Sequence, residues 1–239
     1  MALPVPWEAI FGPLRAGAVD DLTVFGQLGQ SLDGRVATPT GHSHFINGAD
    51  GLDHLHRLRA LADAVVVGIG TAIADDPQLT VRRVAGPDPA RVVLDPRGRL
   101  PASARLLAGS GAMVLTAPGV RGAWPEKCEV VELPLFEGSF RPADVLQVLA
   151  LRGMRRILVE GGAKTVSTFI EARCLDRLHI MVGPLMLGSG TSGINLPAID
   201  RLDQALRPPV HPHVLGAEVL FDCDLSDYRS PIGVAKKST

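Results

Sequence analysis

Aromatic side chains are scarce in this 239-residue chain, at 4%, and it has only three cysteines. The core must therefore be mostly aliphatic. Cys128, Cys174 and Cys223 are far apart, odd in number and in no metal-ligand spacing, which excludes a disulfide framework and a cysteine-based zinc site. A reducing cytoplasm is the simplest setting. Charge of one sign is also lacking. Twenty-four Lys and Arg face 25 Asp and Glu, for a formal net charge of −1, so nothing points to a nucleic-acid partner. No apolar run reaches the length of a membrane span. Met1 to Pro6 lacks the basic-then-apolar order of a signal peptide. There is no Gly-x-Ser-x-Gly elbow and no Cys–His pair with a local nucleophile signature. His42 and His44, then His54 and His56, do not match zinc spacing, and positions two apart on a helix point in different directions. No metal is expected, and these four read as solvated or substrate-loop histidines.

What is present is 46% hydrophobic and 21% charged sequence, enough for a sizeable core. Residues 1–20 read as an extension carrying one short helix, since Trp7, Ile10, Phe11 and Leu14 recur at helical spacing. A single domain over 21–230 and a tail over 231–239 follow. Leu22 to Leu28, Ala64 to Val67, Arg91 to Leu94, Ala112 to Leu115, Glu129 to Leu133, Arg156 to Val159, Leu178 to Val182 and Glu218 to Phe221 read as strands. Asn47 is placed to cap a helix with an apolar face of Leu52, Leu55, Leu58 and Leu61. Pro142 suits the first turn of a helix to about Leu151, and another helix runs to about Ala172. Helices alternating with apolar strands predict an α/β fold with a mainly parallel central sheet and helices on both faces. The last two strands have no clear helix between them, which predicts an antiparallel C-terminal edge. Gly188 to Pro212 reads as loop.

The chemistry concentrates at strand ends. Ile157 to Val166 is an apolar run ending on Glu160, followed by Gly161, Gly162 and a helical pattern. Unpaired N–H groups at a helix start attract phosphate, and glycines let a ligand approach the backbone. Glu160 would stand at the rim, or simply cap the turn. Gly68-Ile69-Gly70-Thr71 also follows a strand, but Ile73 stands where a dinucleotide fingerprint needs its third glycine. Thr71, Asp75 and Asp76 are then either ligand-facing groups or a helix cap and polar turn. Arg59, on the polar side of its helix, joins Arg82, Arg83, Arg97 and Arg99 near strand ends. Each could hold phosphate or be ordinary surface. The inventory suits a binder of cofactor and substrate, with the cofactor carrying the chemistry.

Several segments together resemble a known family. They are Ser31-Leu32-Asp33-Gly34-Arg35-Val36-Ala37; Leu58 to Thr71 with Ala74-Asp75-Asp76-Pro77-Gln78-Leu79-Thr80-Val81-Arg82; Arg91 to Asp95; Leu158 to Ala163; and Pro184 to Gly188. In this order, over about residues 22–225, they look like the reductase domain of bacterial riboflavin biosynthesis, which has a dihydrofolate-reductase-like fold. The resemblance implies NADPH-dependent reduction of the ribosyl group of 5-amino-6-(5-phosphoribosylamino)uracil to the ribityl product, by a cytoplasmic homodimer. Carried over by position, it implies cofactor contacts from Gly29, Phe45, Thr71, Asp75, Gly161, Gly162, Ala163, Lys164, Thr165 and Val166. The diphosphate would lie on Gly162 to Thr168. Ser43, Arg59, Leu79, Arg82 and Glu160 would contact the substrate, Glu160 as the catalytic carboxylate. The chain departs from the family at Phe45, where a tryptophan is usual, and at Pro96, where a serine often stands near the adenosine 2′-phosphate; Arg97 or Arg99 could compensate. The family's zinc deaminase motif is not present, so deamination is not expected. A paralogue reducing another pteridine- or pyrimidine-like substrate, or a non-catalytic nucleotide-binding protein on the same fold, are the alternatives.

Overall fold

A computed structural model of the chain describes residues 5–15, 17, 19–43 and 46–232. Expectations for His44, Phe45 and residues 233–239 lie outside the described residues. Its centre is a nine-stranded sheet in the order β10-β11-β8-β1-β7-β3-β4-β5-β6. In chain order these are β1 (Thr23–Ser31), β3 (Ala64–Gly68), β4 (Ala90–Leu94), β5 (Ala112–Thr116), β6 (Glu129–Glu132), β7 (Arg156–Val159), β8 (Arg177–Gly183), β10 (Val210–Leu215) and β11 (Glu218–Asp224). The run from β8 to β6 is parallel throughout, and β11 reverses direction against β8. Two short strands, β2 (Arg35–Ala37) and β9 (Thr191–Ser192), pair separately. The antiparallel edge thus has an extra member. The loop expected over Gly188 to Pro212 overlaps this strand at Val210, His211 and Pro212. On an outermost strand a missing N–H is tolerated, and Pro212 pairs in register with Phe221.

The apolar runs form strands because a parallel sheet is covered on both faces. Val24, Val66, Val92, Ile157 and Val159 face one core, closed by α4 (Pro142–Leu151) and α5 (Ala163–Glu171). Phe25, Val65, Val67, Val93 and Leu158 face the other, closed by α1 (Val5–Phe11), α2 (Ala49–Leu61) and α3 (Ile69–Asp75). Ile10, Phe11 and Leu14 are buried in that second core. Among the described residues, no helix is long and apolar enough to cross a membrane.

Helix α2 departs from the sequence reading in three ways. Its first-turn N–H groups are capped from the far edge of the sheet: Gly48 and Gly51 donate to the Glu218 carboxylate at 3.0 and 2.7 Å. Asn47 does not cap; its amide donates to Glu218 and to the Met181 carbonyl. Its buried face holds histidines, and Leu52 is exposed. His54 and His56 are therefore not solvated, having 0% and 3% exposure. His54 Nε2 lies 3.0 Å from His179 Nδ1, and His179 Nε2 lies 3.2 Å from Asp222, which Arg177 grips with two nitrogens. Burial, then the neighbouring His179, holds His54 well below the ordinary histidine range, so its imidazole is neutral. Burial alone would raise the Asp222 carboxyl, but hydrogen bonds from His179 and Arg177 outweigh it and bring it to about 2.

Candidate active site

The carboxyl ends of β1, β3, β4 and β7 open into one cavity of about 910 Å³, at the upper end of ligand-pocket sizes. Neighbouring parallel strands whose chains leave to opposite faces make such a crevice. Here β3 feeds α3 on one face and β7 feeds α5 on the other. The two strand-to-helix turns touch. Gly161 has φ of 97°, a left-handed conformation that disfavours side chains, and a Cβ there would meet Thr71 at 2.8–3.1 Å. Across the same contact, a Cβ on Gly68 would overlap the Thr165 hydroxyl. These glycines are therefore required for close packing between two helix starts, not only for approach of a ligand. Thr71 Oγ1 accepts the Gly162 N–H at 2.7 Å, which locks the turns together. Neither helix has a side-chain cap at its N-terminus.

Ala163, Lys164, Thr165 and Thr168 continue the cavity wall along the first turns of α5. Val166 does not; its side chain is fully buried in the core between α5 and the sheet. Gly29 lines the opposite wall at the end of β1, with the Asn47 amide filling the space a side chain would take. Ser43 and Asp75 also line it and meet each other, the serine hydroxyl donating at 3.3 Å. Next to them the short β2 strand contributes Val36 and Ala37. The turn before β2 is pinned by Asp33, which accepts from the Ser31 hydroxyl and from Leu187 and Gly188 N–H. Those hydrogen bonds, the Ser31 hydroxyl's first, hold its carboxyl at about 2. Two motif segments that stand apart in sequence are thus one physical unit.

The floor is an ion pair. Arg59 Nε and Nη2 each donate to a different oxygen of Glu160, both at 2.7 Å, and the two side chains are 7% and 5% exposed. Arg59 is therefore buried rather than on a polar helix face. Burial alone would lower its affinity for a proton, but the Glu160 charge and hydrogen bond outweigh that and raise it. Glu160 lines the cavity with both carboxylate oxygens engaged. The expected lone carboxylate is one half of a clamp.

Leu79 reaches the cavity from a loop with two residues of positive φ, Asp76 at 38° and Leu79 at 58°. Such backbone is held only where its surroundings determine it. Arg82 follows, exposed, with its backbone N–H donated to His56 Nδ1 at 3.0 Å and its guanidinium on the Thr80 hydroxyl at 2.7 Å. Burial, then the charges of Arg59, Arg82 and Arg83, brings His56 down to about 4, so it accepts as a neutral ring. Of the other arginines singled out, Arg99 lines the cavity and Arg97 does not, while Arg83 pairs with Asp53. Arg105, which sequence reasoning passed over, also lines it. No local pattern marks Arg105; it arrives on a short 3-10 turn, Arg105–Leu107, packed beside the end of α3.

A family model described as the RibD C-terminal domain matches residues 22–208. The chain is 36% identical over 184 residues to the 2,5-diamino-6-ribosylamino-4(3H)-pyrimidinone 5′-phosphate reductase of Archaeoglobus fulgidus, covering 71% of this chain and 83% of that protein. It is 36% identical over 166 residues to the riboflavin biosynthesis protein RibD of Aquifex aeolicus, with 68% of this chain aligned but only 46% of that longer protein. Among solved structures, a diaminohydroxyphosphoribosylaminopyrimidine deaminase/5-amino-6-(5-phosphoribosylamino)uracil reductase from Thermotoga maritima superposes with a TM-score of 0.74 at 25% identity. That likeness covers 85% of this chain and 56% of that one.

Proposed function

The chain belongs to the RibD C-terminal domain family, and on that premise we propose that it reduces the ribosyl group of 5-amino-6-(5-phosphoribosylamino)uracil to the ribityl product, with NADPH as the reductant. The observation that carries this reading is the joining of two differently built ends in one cavity. One end is the pair of helix starts locked by Thr71 and Gly162. The other is the Arg59–Glu160 clamp with Arg82.

The first end fits a dinucleotide. A nine-residue helix without a side-chain cap offers backbone N–H groups to a diphosphate. A Cβ added at Gly70 would meet nothing within 4 Å, so the wall opposite is open. Gly162 to Thr165 and Thr168 would hold the diphosphate, with Thr71 and Asp75 beside it and Gly29 toward the nicotinamide. The place of Phe45 in this set comes from the resemblance alone. Bound there, NADPH would supply hydride to C1′ of the sugar in its open-chain, imine-like form, with the adjoining nitrogen taking its proton from solvent. Arg99, rather than Arg97, is the cation available to the adenosine 2′-phosphate, because it faces the cavity.

At the second end, Glu160 acts through Arg59. With both carboxylate oxygens engaged, it holds the guanidinium in one orientation beneath the sugar. Arg59 Nη1 meets the Thr80 carbonyl at 3.3 Å, a further restraint on the same group. Ser43 and Leu79 would border the pyrimidine and Arg82 the phosphate. The reading includes a cytoplasmic homodimer, the dimer being checked by light scattering.

A second reading of the substrate is favoured by more than one relative. The Archaeoglobus protein, which this chain matches over most of that protein's length, is named for the diamino pyrimidinone. The test is steady-state NADPH oxidation with the oxo and the amino pyrimidine. Faster turnover of the oxo form supports the uracil, and faster turnover of the amino form the alternative. Oxidation with neither, alongside tight NADPH binding, overturns the proposal in favour of a non-catalytic binder. Oxidation only with some other pteridine or pyrimidine makes the chain a paralogue.

A further inference from the structure

Three arginines, Arg59, Arg82 and Arg105, line the cavity together with Leu79, and of these only Arg59 is held in an ion pair among the described residues. Arg59 spends its charge on Glu160. Among the described residues, no ion pair engages Arg82 or Arg105, and both line the cavity. Asp88, whose charge also reaches Arg82, is held on the Val81 N–H at 2.6 Å. Burial, then the positive charges of Arg59 and Arg105, pushes the Arg82 guanidinium below the usual arginine range. Arg82 and Arg105 also stand on one loop corner, since Arg82 follows Leu79 and the Arg105 backbone is bonded to Asp76. Two like charges facing one cavity, neither held in an ion pair among the described residues, favour an anion between them.

Arg105 is also held in place. Its backbone N–H donates to Asp76 Oδ1 at 2.8 Å. Asp76 is the left-handed residue that ends α3, with φ of 38°. The strained corner that brings Leu79 to the cavity therefore fixes the base of Arg105 as well. Arg82 is anchored independently, by His56 at its backbone and Thr80 at its guanidinium. Both bases are fixed while the guanidinium edges not bonded to protein remain for a ligand. A planar fork on each side suits the three oxygens of a phosphomonoester better than a single carboxylate.

We propose that Arg105 is a second cationic anchor, paired with Arg82, for the phosphomonoester dianion of the substrate. This rests on the phosphorylated sugar of the proposed function. The same chemistry could come from the cofactor's 2′-phosphate, and the two sources separate by experiment. Dissociation constants of ribose 5-phosphate, ribose, NADP⁺ and NAD⁺ are measured by calorimetry or ligand-observed NMR on the full chain, as wild type, Arg105→Ala and Arg105→Lys. The expected result is a roughly 10- to 100-fold weaker binding of ribose 5-phosphate to the alanine variant, the range for losing a charged hydrogen bond. The lysine variant should recover part of that loss, and NADP⁺ binding should stay within about twofold. In turnover, the alanine variant should raise KM for the phosphorylated pyrimidine far more than it lowers kcat. Weakened NADP⁺ with unchanged NAD⁺ would overturn the proposal in favour of a cofactor role. So would unchanged ribose 5-phosphate binding, or no binding to the wild type. If ribose 5-phosphate binds as expected but neither pyrimidine is reduced, the proposed function fails and the anchor stands.

Discussion

Arg59 and Glu160 stand 101 residues apart and meet in a two-bonded clamp, Nε to Oε1 and Nη2 to Oε2, both at 2.7 Å. The arginine comes from the last turns of α2 and the glutamate directly follows β7. The pair therefore joins a helix on one face of the sheet to the turn that starts α5 on the other. Both charges are largely out of water, so neither can lose its partner cheaply.

Breaking the clamp from either side should be strongly destabilising. Arg59→Ala and Glu160→Ala should each cost about 3–5 kcal/mol in urea unfolding, because each leaves an uncompensated buried charge. The double variant should cost clearly less than the sum of the two. Additive losses would show that the two side chains do not act as a unit. Glu160→Gln should lower turnover while NADPH affinity stays near normal, and an equal loss of both would make the role of Glu160 structural.

The contact between the two helix starts makes a second prediction. Thr71→Val removes the acceptor for the Gly162 N–H while keeping the shape of the side chain. It should weaken NADPH binding by about 0.5–1.5 kcal/mol in titration, the net worth of one exposed hydrogen bond that positions the turn. Gly161→Ala should be worse, because it adds both a positive-φ penalty and an overlap with Thr71. Unchanged NADPH affinity in both would remove this turn from the cofactor site.

The neutral histidines make stability depend on pH with a definite sign. In the unfolded chain His56 takes up a proton near 6.5, whereas in the fold it does so near 4. The unfolded state therefore binds more protons between those values, and stability falls as pH drops through that window. One histidine contributes a slope of up to about 1.4 kcal/mol per pH unit, and His54, shifted in the same direction, adds to it. Above 6.5 this contribution is fully present. Asp222 adds a separate loss below its ordinary value of 3.8, since it is held at about 2. Urea midpoints at pH 7, 5.5 and 4.5 measure the slope. His56→Asn, which keeps an acceptor for the Arg82 N–H, should flatten it.

Glu218 makes the fourth. Its carboxylate caps α2 from β11, 170 and 167 residues away from the N–H groups it accepts. Glu218→Ala should cost about 1–3 kcal/mol, a cap plus a charged hydrogen bond. Asn47→Ala should cost less, since its amide only donates to Glu218 and a carbonyl. The reverse order would restore the cap to Asn47.

Much of this was legible along the chain, and the reason is local. The apolar runs of β1, β3, β4 and β7 declare buried strands because each satisfies two cores at once. Gly161-Gly162 after Val159 declares a strand-to-helix turn because only small residues fit it. The ordered motifs from Ser31 to Gly188 were enough to place the reductase family. What the sequence could not show was which groups meet. Glu160 read as a free carboxylate and Arg59 as a surface cation because their partnership spans two faces of the sheet. His54 and His56 read as solvated because His179 and the Arg82 backbone, which satisfy them, lie far off in sequence. Asn47 read as a cap because the true one, Glu218, lies on a strand near the other end of the chain. Arg105 carried no signal at all, since its place depends on the bent corner at Asp76. Periodicity and turn chemistry report what a residue does to its own segment. Burial of charge, capping at a distance and the convergence of cations on one cavity are properties of the packed sheet, and only the tertiary structure decides them.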